Sequence, residues 1–98
     1  MIRDHYREVI EMATVIALHD VADVAHWLSS PKRAEFFGAH GMTVRTFVSP
    51  GGGNRVGLII ENVPNLEALT EALQGADAAE AMKNDGVNPD TVELFVAS

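Results

Sequence analysis

His19, Asp23 and His26 recur at spacings of four and three residues. On a helix, positions i, i+4 and i+7 share a face, so this set is a candidate metal site. The apolar positions Val21, Val24, Ala25 and Leu28 also recur at helical spacing, on the side opposite Asp23 and His26. That arrangement places His26 at solvent and gives Asp23 a simpler task, favouring the helix N-terminus by its charge. His19 stands just before this helix, at the end of an apolar run. An imidazole titrates near neutral pH, so His19 is the candidate for moving a proton. The alternative is a rim histidine bonded to the helix that follows it.

A second group is Arg45, Phe47, Ile59 and Glu61, with Phe95 further on. Arg45 and Glu61 form either an ordinary cross-strand ion pair or a polar pair that orients a substrate in a pocket. Phe47, Ile59 and Phe95 are then either apolar pocket walls or packing at an interface. Trp27, at the margin of the first helix's stripe, is a candidate for the same wall or for the core. His5 and Tyr6 lie in the N-terminal lead-in and His40 in a loop. No nucleophile-elbow serine is present. There are no cysteines, hence no disulfide, thiolate metal site or cysteine nucleophile.

Between Phe47 and Gly57 the chain reads FVSPGGGNRVG. A phosphate loop needs a helix after its glycines and, in the P-loop form, a Lys-Ser/Thr pair. Asn54-Arg55 follows instead, and then another strand. The glycines therefore read as a hairpin turn, which removes a nucleotide site. Centring the turn on Gly52 pairs Val48 with Val56, Phe47 with Gly57, Arg45 with Ile59 and Thr43 with Glu61. An aromatic opposite a strand glycine is a compensating pair.

The elements that position these residues follow from periodicity. Val9 to Leu18 is β-branched and apolar and reads as a strand. Asp20 reads as the cap of the helix that follows, and a short second helix runs from Pro31 to about Phe37. Strands are expected over Met42–Val48 and Asn54–Asn62. Pro64 and Asn65 open a helix carrying Leu66, Leu69 and Leu73. Gly75 breaks it, Asp77 caps a continuation to Lys83, and a last strand covers Thr91–Ala97. The order βαββαβ predicts an α+β, ferredoxin-like fold with a four-stranded antiparallel sheet in a single domain spanning 1–98.

Sorting strands by alternation gives two faces. Ile10, Met12, Thr14, Ile16 and Leu18 group with Val44, Val48, Val56, Leu58, Ile60, Val92, Leu94 and Val96, an aliphatic face for the helices. Val9, Glu11, Ala13, Val15, Ala17 and His19 group with Arg45, Phe47, Ile59, Glu61, Glu93 and Phe95. The second face is too apolar for water and too charged for a dry core, which suits a sheet packed on another sheet around a cavity. A two-fold dimer supplies that second sheet. Glu11 and His19, about 26 Å apart along a strand, cannot act on one small substrate within one subunit.

Composition narrows the partners. Fourteen acidic against seven basic residues give a net charge of -7, which excludes the basic footprint of a nucleic-acid binder and disfavours an anionic membrane surface. The start of the chain lacks a signal-like apolar run, and no run is long enough to cross a bilayer, so a cytoplasmic location is expected. At 98 residues the core is modest, and self-association would supplement it.

The element order, the bipartite helices DVADVAHWLSSPKRAEFF and NLEALTEALQGADAAEAMKNDGV, and the two-faced sheet together resemble the dimeric α+β barrel superfamily, over Val9 to Val96. That resemblance implies a homodimer with a small-molecule pocket in each subunit and no resident cofactor or metal. Its known members include cofactor-independent antibiotic-biosynthesis monooxygenases and polyketide cyclases, which implies action on a small aromatic or polyketide-type metabolite. His19 would be the catalytic group, and Trp27, Arg45, Phe47, Ile59, Glu61 and Phe95 would contact substrate. A ligand-sensing or assembly module of the same fold is the alternative, and haem binding through a pocket histidine a third.

Overall fold

The computed structural model describes residues 12–98. The elements run β1 (Ala13–Val21), α1 (Val24–Ser29), α2 (Lys32–Ala39), β2 (Thr43–Val48), β3 (Arg55–Val63), α3 (Leu66–Leu73), α4 (Ala76–Asp85) and β4 (Val87–Val96). The four strands form one antiparallel sheet in the order β2-β3-β1-β4. This is the ferredoxin-like α+β arrangement expected from the element order. The part of the first strand expected before Met12, with Glu11, His5 and Tyr6, lies outside the described residues.

Local chemistry sets the helix ends. Asp23, not Asp20, caps α1: its carboxylate accepts from the His26 backbone N–H at 3.0 Å. Asp20 instead belongs to β1. Asn65 caps α3 by accepting from Ala68 N–H at 2.7 Å. Gly86 ends α4 in the left-handed region, φ 75°, where a glycine carries no Cβ penalty. The hairpin between β2 and β3 turns at Gly52 and Gly53, both at positive φ, and has the expected register: Thr43 opposite Glu61, Arg45 opposite Ile59, Phe47 opposite Gly57, Val48 opposite Val56.

The helices cover one face of the sheet. Beneath them a core forms around Val15, Val21, Trp27, Phe37, Ile60, Val63 and Leu69. Here the alternation expected for the first strand is reversed. Val15 pairs with Ile60, Ala17 with Leu58 and His19 with Val56, so Val15, Ala17 and His19 face the helices. Ile16 and Leu18 face the other way. The segment ATVIAL is apolar on both faces, so its own pattern cannot choose a side; pairing with β3 does.

The uncovered face carries two rows across all four strands. One is Arg45, Ile59, Ile16 and Phe95; the other is Phe47, Gly57, Leu18 and Glu93. Ile16, Phe47 and Phe95 are 42%, 45% and 54% exposed. A Cβ on Gly57 would lie 3.1 Å from Leu18 Cδ2 and 3.9 Å from Phe47 Cβ, so these two side chains close over the glycine. At one end Arg55 bridges Asp20, at 3.0 Å, and Glu93.

β4 departs most from its sequence pattern. It begins at Val87, ahead of the expected Thr91. Leu18 pairs with Glu93 but Asp20 pairs with Asn88, so Pro89 to Val92 bulge opposite the lone His19. Proline cannot donate to the ladder. At the bulge the Thr91 hydroxyl serves two backbone groups, accepting from Asp20 N–H at 2.9 Å and donating to the Asn88 carbonyl at 2.7 Å.

Candidate functional site

Under the helices, beside that bulge, lies a cavity of about 420 Å³, partly open to solvent. Its floor is the sheet, through Ala17, Leu58, Ile60 and Leu94, and its roof includes Phe36, Leu73, Ala78 and Met82 from the helices. The lining is mostly apolar, with a few polar groups gathered at one wall, the usual character of a small-molecule site.

That wall is built around Trp27. Capping by Asp23 starts α1 so that Trp27 points inward, and it is fully buried. The His19 ring meets it edge-on, with centroids 5.6 Å apart. The Arg33 guanidinium, from the first turn of α2, stacks on it with Cζ 4.2 Å from the ring centroid. Such a contact contributes about 0.5–2 kcal/mol. Arg33 Nη1 donates to the Trp27 carbonyl oxygen at 3.1 Å and lies 3.7 Å from Asp85 Oδ2. Asp85, the last residue of α4, is held in turn by Asn84 Nδ2, which donates to its Oδ1 at 2.9 Å.

His19 is 4% exposed, and its Nδ1 has no hydrogen-bond partner among the described residues. Burial pushes its pKa below the ordinary 6.5; the Asp20 backbone opposes this, and the Arg33 and Arg55 charges add to it. The imidazole is therefore neutral near pH 7 and able to accept a proton. Burial also lowers the Arg33 pKa, against the opposing pull of Asp85; a guanidinium remains charged regardless.

Of the expected site residues, only His19 and Trp27 meet in this cavity. Arg45, Phe47, Ile59, Glu61 and Phe95 share the opposite, uncovered face, so the seven residues do not form one site. Arg45 and Glu61 make no ion pair with each other; the Arg45 guanidinium instead sits 5.4 Å from the centroid of the Phe47 ring. The candidate pair His19 and His26 also parts. His19 is in the core, while His26 is exposed, with Nε2 2.7 Å from the Asn84 carbonyl. His40 caps α2 and packs on Phe36, ring centroids 5.0 Å apart.

Arg33 and Asp85 escaped the sequence reading. Arg33 sits beside Lys32 after a proline, and Asp85 sits in a helix-ending NDG, both ordinary solvent patterns. The available signal was a pairing across more than fifty residues, which periodicity does not carry.

No protein-family model and no curated protein sequence matches this chain. Solved structures do resemble it in shape. An antibiotic biosynthesis monooxygenase superposes with a TM-score of 0.56 at 16% identity, covering 88% of this chain and 96% of that one. A dimeric protein of unknown function with a ferredoxin-like fold from Bacteroides fragilis gives 0.55 at 17% identity, covering 89% and 95%. A conserved protein of unknown function from Bacteroides thetaiotaomicron gives 0.50 at 16% identity, covering 90% and 95%. At these identities the likeness establishes the ferredoxin-like α+β fold.

Proposed function

We propose that this protein binds a small, largely apolar organic molecule in the cavity under its helices and moves a proton on it with His19. The observation that carries this reading is the buried His19, with Nδ1 unpartnered among the described residues, in the wall of a 420 Å³ cavity. Leaving a buried polar atom unmatched costs about 1–3 kcal/mol, and a ligand hydroxyl would relieve that cost. A neutral imidazole there takes the proton of a phenol or enol, giving a ligand anion and an imidazolium. Trp27, Phe36 and Leu58 hold the ring and exclude water. A structure described as an antibiotic biosynthesis monooxygenase shares the fold, which supports a small organic metabolite as the ligand.

The protein acts as a homodimer in this reading. The uncovered face presents Ile16, Leu18, Phe47, Ile59 and Phe95 to a second copy, and the Bacteroides fragilis neighbour is described as dimeric. Sheet-to-sheet packing about a two-fold axis would bury that face. Arg45, Phe47, Ile59, Glu61 and Phe95 then serve the interface.

The test is incubation with a panel of quinols and polyketide-like phenols. Turnover that disappears in His19→Ala supports the enzyme. Saturable binding without turnover supports a ligand-sensing module instead. Absence of both binding and turnover at millimolar concentrations rejects the cavity as a ligand site.

A further inference from the structure

We propose that the ligand of this cavity carries a carboxylate, bound by the free edge of Arg33; this rests on the reading of the cavity as the ligand site. Among the described residues Arg33 uses one nitrogen, Nη1, for both the Trp27 carbonyl and the distant Asp85. Nε and Nη2 have no acceptor among those residues. The side chain is nonetheless only 10% exposed and lines the cavity. Among the described residues His19 Nδ1 is the one buried side-chain nitrogen or oxygen without a partner, so Nε and Nη2 keep contact with solvent on an otherwise largely buried side chain; two such parallel N–H donors would grip an incoming planar anion.

The site's charges select a monoanion. Among the described residues Arg33 is the one permanent cation in the cavity lining, Asp85 is a neighbouring negative charge, and the chain's net charge is -7. A phosphate ester, bearing close to two charges, meets too little compensation here. His19 and Arg33 both contact the Trp27 ring. One ligand can therefore place its carboxylate at Arg33 and its ionisable hydroxyl at His19, as a hydroxylated aromatic acid does. Asp85 has a definite part: it fixes the guanidinium at 3.7 Å and competes weakly with the ligand for it.

The experiment compares two probes of the same shape, 2-naphthoate and 2-naphthamide. The chain has a single tryptophan, so the Trp27 indole N–H resonance of ¹⁵N-labelled protein reports on this wall alone. The expected result is a saturable shift with both probes and at least tenfold tighter binding of the naphthoate. Asp85→Asn should widen that preference, and Arg33→Gln should abolish it, so that the two probes bind with equal affinity. Equal affinity of the two probes for the native protein overturns the carboxylate site and leaves the cavity reading standing. An unchanged preference in Asp85→Asn also counts against it, and this arm holds if Arg33→Gln does not fold. No shift with either probe at millimolar concentration overturns the cavity reading and the carboxylate site together.

Discussion

The Arg33 guanidinium sits over the Trp27 ring, its Cζ 4.2 Å from the centroid, with the His19 ring edge-on to the same indole at 5.6 Å. Three residues from β1, α1 and α2 thus share one contact. The contact is the hinge between stability and function: it closes the core on one side and forms the polar wall of the cavity on the other.

Trp27 should therefore dominate stability. Trp27→Ala removes a fully buried aromatic and its two ring partners. The expected loss is about 3–5 kcal/mol, a large share of the stability of a domain this small. Urea unfolding followed by circular dichroism measures it. A loss below about 1 kcal/mol would show that the indole is not the keystone of this core.

His19 should impose a pH dependence on folding. Its native pKa lies below 6.5 because burial disfavours the charged ring. Below 6.5 the unfolded chain binds a proton that the native state refuses, so stability falls as the pH drops and stops falling only below the native pKa. The charges that act on the ring are Arg33 and, from the other side of the sheet, Arg55, which oppose its protonation; the Asp20 backbone and carboxylate favour it. His19→Gln should flatten the stability curve between pH 7 and 5 relative to the native protein. Parallel curves would mean that His19 titrates as freely in the fold as outside it.

Two glycines should respond oppositely to alanine. Gly86 has φ 75°, and an added Cβ would lie 3.3 Å from Ala22 Cβ. Gly86→Ala should cost about 1–2 kcal/mol from the left-handed backbone alone. Gly38, inside α2, would have nothing within 4 Å of its Cβ; Gly38→Ala should raise stability by about 0.5–1 kcal/mol. Thermal melts of both variants decide: the same sign for the two would contradict this backbone assignment.

The uncovered sheet face should hold the dimer. Ile16 and Phe95 are cross-strand partners at its centre. A glutamate at either position would bury charge against the partner's apolar row. Sedimentation at micromolar concentration should show a dimer for the native chain and a monomer for Ile16→Glu or Phe95→Glu. A native chain that sediments as a monomer would remove the interface altogether.

Much of this architecture was legible in the residues. The hairpin register followed from the glycine run, since flanking strands leave few ways to close a turn at Gly52. Helix positions followed roughly from apolar spacing, and Asn65 caps α3 as expected, but α1 is capped by Asp23 rather than Asp20 and α4 starts just after Gly75 with no cap from Asp77. The face occupied by His19 was not legible. Ile16 and Val15 are equally suited to either side, so only pairing with Leu58 and Ile60 settles the matter. The start of β4 was hidden because Asn88-Pro89-Asp90 reads as a turn, and in the fold it is a bulge. Arg33 and Asp85 meet only through the packing of α2 on α4, which no local pattern reveals.

The most direct test of the cavity as the ligand site asks which side of the sheet responds. Ile60 lines the cavity, whereas Ile16 and Ile59 lie on the uncovered face. In protein with ¹³C-labelled isoleucine methyls, titration with 1-naphthol should move the Ile60 methyl and the Trp27 indole resonance together and leave Ile16 and Ile59 in place. Movement of Ile16 and Ile59 with Ile60 and Trp27 unchanged would put the ligand on the other face and contradict the account.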